Sequence, residues 1–218
     1  MTHSLTDTPD WLYLHKDILD LYRFSSSGGS AAIRRHQKSV AKTLNAAMRD
    51  NARVIQKETS LRPVCAHLPR ALDLGGEGPL AGLVKALGRV SSRFSWQFGY
   101  RRMPKSLARK YAFAELLGPR GPVVCSDLIL GLVLFAPGTT YPVHAHEGIT
   151  ESYVCLCGTS SENDAGVRAP GSLIFNPPGQ QHRITTGRAA PCLLLYAWTG
   201  TRRALAEPEM VLDRSQPG

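Results

Sequence analysis

GTTYPVHAHEGITESYVCLCG, residues 138–158, is the stretch on which the reading of this chain turns. In an extended strand alternate side chains share a face, so His144 and His146 project together, and so do Glu151 and Tyr153. Two imidazoles and a carboxylate converging from one hairpin make a donor set that a divalent metal accepts. A further donor lies in GSLIFNPPGQQHRITT (171–186), where His182 follows the turn formers Pro177-Pro178-Gly179 and opens a β-branched run. His144, His146, Glu151 and His182 together offer nitrogen and carboxylate oxygen while leaving room for water or substrate. One divalent transition metal is therefore expected, and Zn, Fe, Mn, Co and Ni all suit such donors. Glu147, beside His146, falls on the opposite face and is expected in solvent.

The spacing carries a family resemblance. Gly138, His144-x-His146, Glu151 and Gly158, followed by Gly171, Pro177-x-Gly179 and His182, resemble the two motifs of the cupin superfamily, with Thr186 where the second motif often has Asn. The resemblance implies a mainly β fold: a single cupin double-stranded β-helix, or jelly-roll barrel, with an N-terminal helical extension. GPRGP (118–122), GLVLFAPGTTYP (131–142), the His-x-His, Glu and Tyr153 pattern, and Leu-Tyr-x-Trp-x-Gly (195–200) narrow it further. Over residues 93–200 the chain is similar to the cupin-type dimethylsulfoniopropionate lyases and their lyase-like relatives.

Those enzymes release dimethyl sulfide and acrylate by β-elimination. The resemblance implies that metal bound to the substrate carboxylate stabilises the developing charge, and that a tyrosinate removes the α-proton. Tyr153, two residues beyond Glu151 and on its face, is the first candidate base, and Tyr141 the second, as base or orienting group. A cationic sulfonium prefers an aromatic wall, for which Trp96, Tyr100 and Trp198 are candidates, with Phe94. Another cupin enzyme acting on a small carboxylate (a dioxygenase or isomerase) and a non-enzymatic small-ligand-binding cupin are the alternative readings.

The remaining sequence bounds the answer. At 218 residues and 43% hydrophobic content, the chain can bury one good core and a small accessory layer. Its net charge of +9 is scattered rather than blocked, and no nucleic-acid-binding signature accompanies it, so the expected partner is a small molecule. Five cysteines without a CxxC pair argue against a disulfide framework and for a reducing compartment; the cytoplasm is expected. MTHSLTDTPDW has no basic and apolar leader pattern, and no apolar run is long enough to span a bilayer.

Thr8-Pro9 reads as a helix start, and apolar residues recur at helical spacing through Tyr22. Further helices are expected over 31–57 and 79–90, with irregular chain at 61–74. From residue 93 the period shortens to two: Phe94, Trp96 and Phe98 read as one face of a strand, and a series of short strands separated by Gly/Pro turns follows. The expected organisation is a helical segment, 1–92, packed on a barrel, 93–200, and a tail, 201–218, ending in disorder at SQPG. His36 and His67 stand outside every motif and read as ordinary. A homodimer through exposed barrel edges is a further expectation.

Overall fold

The computed structural model describes residues 3–100, 103–208 and, in backbone alone, 210–212. The chain begins with a short strand, β1 (His3–Ser4), and helix α1 (Pro9–Phe24). Proline at the first helical position suits α1, since its missing N–H has no intrahelical partner there. Thr8 does not cap this helix; its hydroxyl donates back to the carbonyls of Ser4 and Leu5. Helix α2 (Ala31–Arg49) is capped by Ser30, which accepts from the Ile33 N–H at 3.3 Å. It stops well short of residue 57: Asn51 takes φ +51°, and the chain then forms β2 (Arg53–Val54). The stretch 61–74, expected to be irregular, contains a 3₁₀ turn and helix α3 (Leu68–Gly75), with Pro69 tolerated in its first turn. Helix α4 (Ala81–Val90) follows as expected.

Next come β3 (Trp96–Gln97), the short α5 (Lys105–Ala108), β4 (Tyr111–Gly118), β5 (Val123–Val124), β6 (Ile129–Phe135), β7 (Thr140–His146), β8 (Ile149–Cys157), β9 (Ser160–Glu162), β10 (Leu173–Asn176), β11 (His182–Thr186) and β12 (Cys192–Gly200). Helix α6 (Arg202–Ala206) and β13 (Met210–Leu212) are the last described elements, so regular structure extends into the expected tail; SQPG (215–218) lies outside the described residues. Among the described residues the strands form two sheets. The larger runs β1-β2-β5-β4-β6-β12-β8-β10 with β3 on β4, and the smaller runs β13-β7-β11-β9. The two sheets make the jelly-roll barrel.

The larger sheet is buried on both faces, which is why β6 reads ILGLVLF without polar alternation. One face, carrying Ala114, Leu132, Leu156 and Leu195, packs on the helices through Leu14, Ile18, Leu44 and Leu87. The other face, carrying Tyr111, Val133, Tyr153 and Tyr196, looks into the barrel. The helical layer therefore covers the back of the sheet. Phe94 and Trp96 join that helix-side core, whereas Phe98 lies on the barrel side, so the three aromatics do not share one face. The strand there is only two residues long, too short to hold a common alternation beyond Gln97.

Candidate metal centre and active site

Strands β7 and β8 follow one another through Glu147-Gly148, yet they do not pair. β7 belongs to the smaller sheet, between β13 and β11, and β8 to the larger, between β12 and β10. The expected hairpin is instead a crossing from sheet to sheet, and the site assembles where the two sheets face each other. From the smaller sheet come His144 and His146 on β7 and His182 on β11, with His182 directly opposite His144 in register. From the larger sheet come Glu151 and Tyr153 on β8 and Trp198 on β12, with Trp198 opposite Glu151. Glu147 is exposed, as alternation requires.

The three histidines each offer one nitrogen, and these nitrogens lie within 4.8 Å of one another. His144 Nδ1 sits 2.9 Å from the Pro142 carbonyl and His182 Nδ1 3.1 Å from that of Gln180. Each Nδ1 therefore carries the hydrogen, and each Nε2 presents a lone pair inward. The buried His182 Nε2 and both nitrogens of His146 have no hydrogen-bond partner. Buried imidazole nitrogens are costly to leave unsatisfied, and a cation at their centre would satisfy them. Glu151 closes the set, its Oε2 3.1 Å from His182 Nε2 and its Oε1 3.7 Å from His146 Nε2. The carboxylate is oriented by Trp198, whose indole N–H donates to Oε1 at 2.6 Å, and by Asn176 Nδ2, at 3.4 Å from Oε2. The donors fit a divalent metal.

Electrostatics agree with that use. Burial lowers the pKa of His144 to about 3 and also lowers that of His146, so both imidazoles are held neutral. Burial alone would raise the Glu151 carboxyl, but His146, His182 and His144 together hold it well below the usual carboxylate range. Burial alone would lower the His182 pKa, but the adjacent Glu151 carboxylate raises it above the ordinary imidazole value. Neutral His144 and His146 beside an ionised carboxylate are protonation states that suit metal binding.

Beside this cluster lies a cavity of about 180 Å³. Tyr141, Tyr153 and Trp198 of the expected site line it with His144 and His146. Tyr153 is buried, and burial followed by the neighbouring Glu151 charge pushes its hydroxyl well above the ordinary tyrosine range. The Tyr141 hydroxyl donates to that of Tyr111 at 3.1 Å, and its ring packs edge-on against His144. Trp96 does not reach the cavity: it is fully buried behind the sheet, against Phe94. Tyr100 packs on Tyr141 at a ring distance of 5.9 Å, one layer back from the lining.

Residues that the motifs did not single out add to the wall: Phe98, Tyr111, Phe113, Tyr196 and Glu115, the last on β4, separated from Tyr153 on β8 by β6 and β12. Tyr196 was legible, two residues before Trp198 in Leu-Tyr-x-Trp and therefore on its face. Glu115 was not, because YAFAELLG gives no hint that its one acid turns inward. It accepts the Arg120 N–H at 3.0 Å, and burial raises its carboxyl pKa.

A sequence profile of the dimethylsulfoniopropionate lyases matches residues 34–194. The chain belongs to the dimethylsulfoniopropionate lyase family. By that membership it is a carbon–sulfur lyase. It is 54% identical over 209 residues to a Cereibacter sphaeroides protein that carries the name dimethylsulfoniopropionate lyase DddL, a match covering 96% of this chain and 90% of the relative. The fold is shared with solved lyases of low sequence identity. A chain from the crystal structures of the DMSP lyases RdDddP and RnDddQII superposes with a TM-score of 0.71 at 20% identity, covering 94% of this chain and 98% of that one. DMSP lyase DddQ from Ruegeria pomeroyi superposes with a TM-score of 0.66 at 19% identity, covering 97% and 100%. Among the described residues, no helix of this family member is long and apolar enough to cross a membrane.

Proposed function

We propose that this chain cleaves dimethylsulfoniopropionate to dimethyl sulfide and acrylate by β-elimination. The observation that carries the reading is a set of buried imidazole nitrogens without partners, beside a cavity-lining tyrosine, in a chain of the lyase family. A divalent transition metal held by His144, His146, Glu151 and His182 would supply Lewis-acid stabilisation of charge developing on the substrate carboxylate and draw the nearby tyrosine hydroxyl down.

Tyr153 is the base. Its phenolate oxygen takes the proton from the carbon next to the carboxylate, and the electrons of that C–H bond become the new double bond. The C–S bond breaks with its pair going to sulfur, so a cationic sulfonium leaves as neutral dimethyl sulfide. Tyr141, held by Tyr111 and packed on His144, orients the substrate from the side. Trp198 and Asn176 fix the rotation of Glu151. The sulfonium faces the aromatic wall of Tyr111, Phe113 and Tyr196, where cation–π attraction contributes about 1–2 kcal/mol once water is displaced. That is small against the cost of desolvating a cation, so Glu115 supplies the opposing charge at this end of the cavity.

Headspace detection of dimethyl sulfide from purified protein, with Zn, Fe, Mn, Co or Ni supplied separately, tests the reading. Release that a chelator abolishes is expected. Metal-loaded, folded protein that gives only trace gas would move the search to other small carboxylates.

A further inference from the structure

Behind the site, on the helix side of the sheet, a buried hydrogen-bond chain joins the N-terminal helices to the strands that carry the chemistry. Ser152 lies between Glu151 and Tyr153 on β8, and alternation turns it to the opposite face, fully buried against the helical layer. The Tyr22 hydroxyl of α1 lies 2.8 Å from Ser152 Oγ, and His36 Nε2 of α2 lies 2.9 Å from the same atom. The other nitrogen of His36 reaches Thr199 Oγ1 at 3.2 Å, and Thr199 follows Trp198 on β12. The His36 ring is 4% exposed and packed edge-on against Phe175 and Tyr22. Every donor finds an acceptor in one direction: Tyr22 O–H to Ser152, Ser152 O–H to His36 Nε2, and His36 Nδ1–H to Thr199. That chain requires a neutral imidazole, and burial lowers the His36 pKa to about 4.

Two contacts thus meet at one imidazole. One holds the residue between Glu151 and Tyr153, and the other holds the residue beside Trp198, which itself donates to Glu151. A shift of β8 by a few tenths of an ångström would move the carboxylate and the tyrosine together, because they flank Ser152. From this geometry we infer that His36 is a positioning residue for the active site. Acting through Ser152 and Thr199, it fixes the backbone that aims Glu151, Tyr153 and Trp198, and the N-terminal helices serve the reaction from behind the sheet. The inference rests on the reading of Glu151 as a ligand and Tyr153 as the base.

The test uses three full-length variants. His36→Phe keeps the ring and its packing and removes both hydrogen bonds. His36→Gln retains a group able to reach Ser152. Ser152→Ala removes a single hydroxyl and guards against a folding failure in the first. Each is loaded with Co²⁺ and read by its d–d absorption spectrum, by metal affinity, and by kcat and KM for dimethylsulfoniopropionate, alongside thermal melting. Outer partners of a metal ligand typically change affinity or activity by 10–100-fold. The expected result for His36→Phe and Ser152→Ala is a displaced Co²⁺ spectrum and a kcat reduced by about 10-fold or more with little change in KM. His36→Gln should recover much of both. Variants that melt earlier but keep the wild-type spectrum and kcat would reduce His36 to a packing residue and overturn the inference. A wild-type protein that releases no dimethyl sulfide would sink the lyase reading alone, since the spectrum still reports whether His36 aims Glu151.

Discussion

Within the site, single residues have separable duties, and that makes them testable. His182 belongs to the smaller sheet and approaches Glu151 of the larger one, so it ties the two halves of the cluster together. His182→Ala should lose metal, read by elemental analysis of the purified protein, and turnover with it. Tyr153→Phe should retain metal and lose about 10²–10⁴-fold in kcat, the range for removing a general base; normal turnover would show that another group takes the proton. Glu115→Gln keeps an acceptor for the Arg120 N–H while deleting the charge. Its KM for the cationic substrate should rise several-fold, with smaller effect on an uncharged thioether analogue. An unchanged KM would mean that the aromatic wall alone holds the sulfonium.

Sequence pattern made the candidate ligands legible at this scale, because His144, His146, Glu151 and His182 sit at fixed spacings around turn residues. It passed over His36 because it is one polar residue among many in IRRHQKS, and Glu115 because a lone acid in the apolar run YAFAELLG announces no role. Their neighbours are supplied by strands far away in sequence. Trp96 was misplaced for a related reason: an aromatic on a strand must face one side or the other, and only the packing of the helices says which.

At the scale of the element, close approach explains two glycines. Gly131 on β6 lies beneath the Tyr196 ring, and a Cβ there would sit 2.5 Å from that ring and from the Ala114 carbonyl. Gly131→Ala should therefore cost roughly 1–3 kcal/mol in urea unfolding, as overpacking does, and push Tyr196 into the cavity with a rise in KM. Gly158, which ends β8, has φ +75°, and a side chain there would collide with the Pro191 backbone. The cupin-like Gly158 position is thus a requirement for β8 to turn away beneath the following loop. Strand extents at β4, β6, β8, β11 and β12 follow the apolar runs closely, since runs bounded by Gly and Pro have little freedom in where to end. Helix α2 ended early because Asp50-Asn51 turned the chain before its apolar periodicity ran out.

For the whole molecule, the helical layer and the barrel share one sheet, so the stability of one is coupled to the site of the other. His15, fully buried in α1, has Nδ1 on the Trp11 carbonyl at 2.7 Å and an Nε2 without a partner, and burial lowers its pKa to about 4. Between about pH 6.5 and 4 the unfolded chain binds a proton there that the folded chain does not, so stability rises with pH across that window and falls as pH drops through it. Full expression of the effect is ~3 kcal/mol. His15→Leu should gain about 2 kcal/mol relative to wild type on going from pH 7.5 to pH 5, measured by urea unfolding of both proteins at each pH. A constant difference would mean that His15 takes up a proton as readily in the folded chain as in the unfolded one.

What the sequence determined by itself was the barrel class and the family, and with them a candidate donor set, because metal ligation and tight turns need particular residues at particular spacings. What tertiary structure alone decided was which sheet each donor stands on, which face each aromatic takes, and what stands behind the site. β7 and β8 read as one hairpin because adjacency in sequence favours adjacency in space. They part because each sheet must bury its inner face against the other, and the candidate metal site lies where those faces meet. The helical layer reaches Ser152 for the same reason: burying the back of an apolar sheet places whatever polar groups lie there in contact, and only contact makes His36 matter.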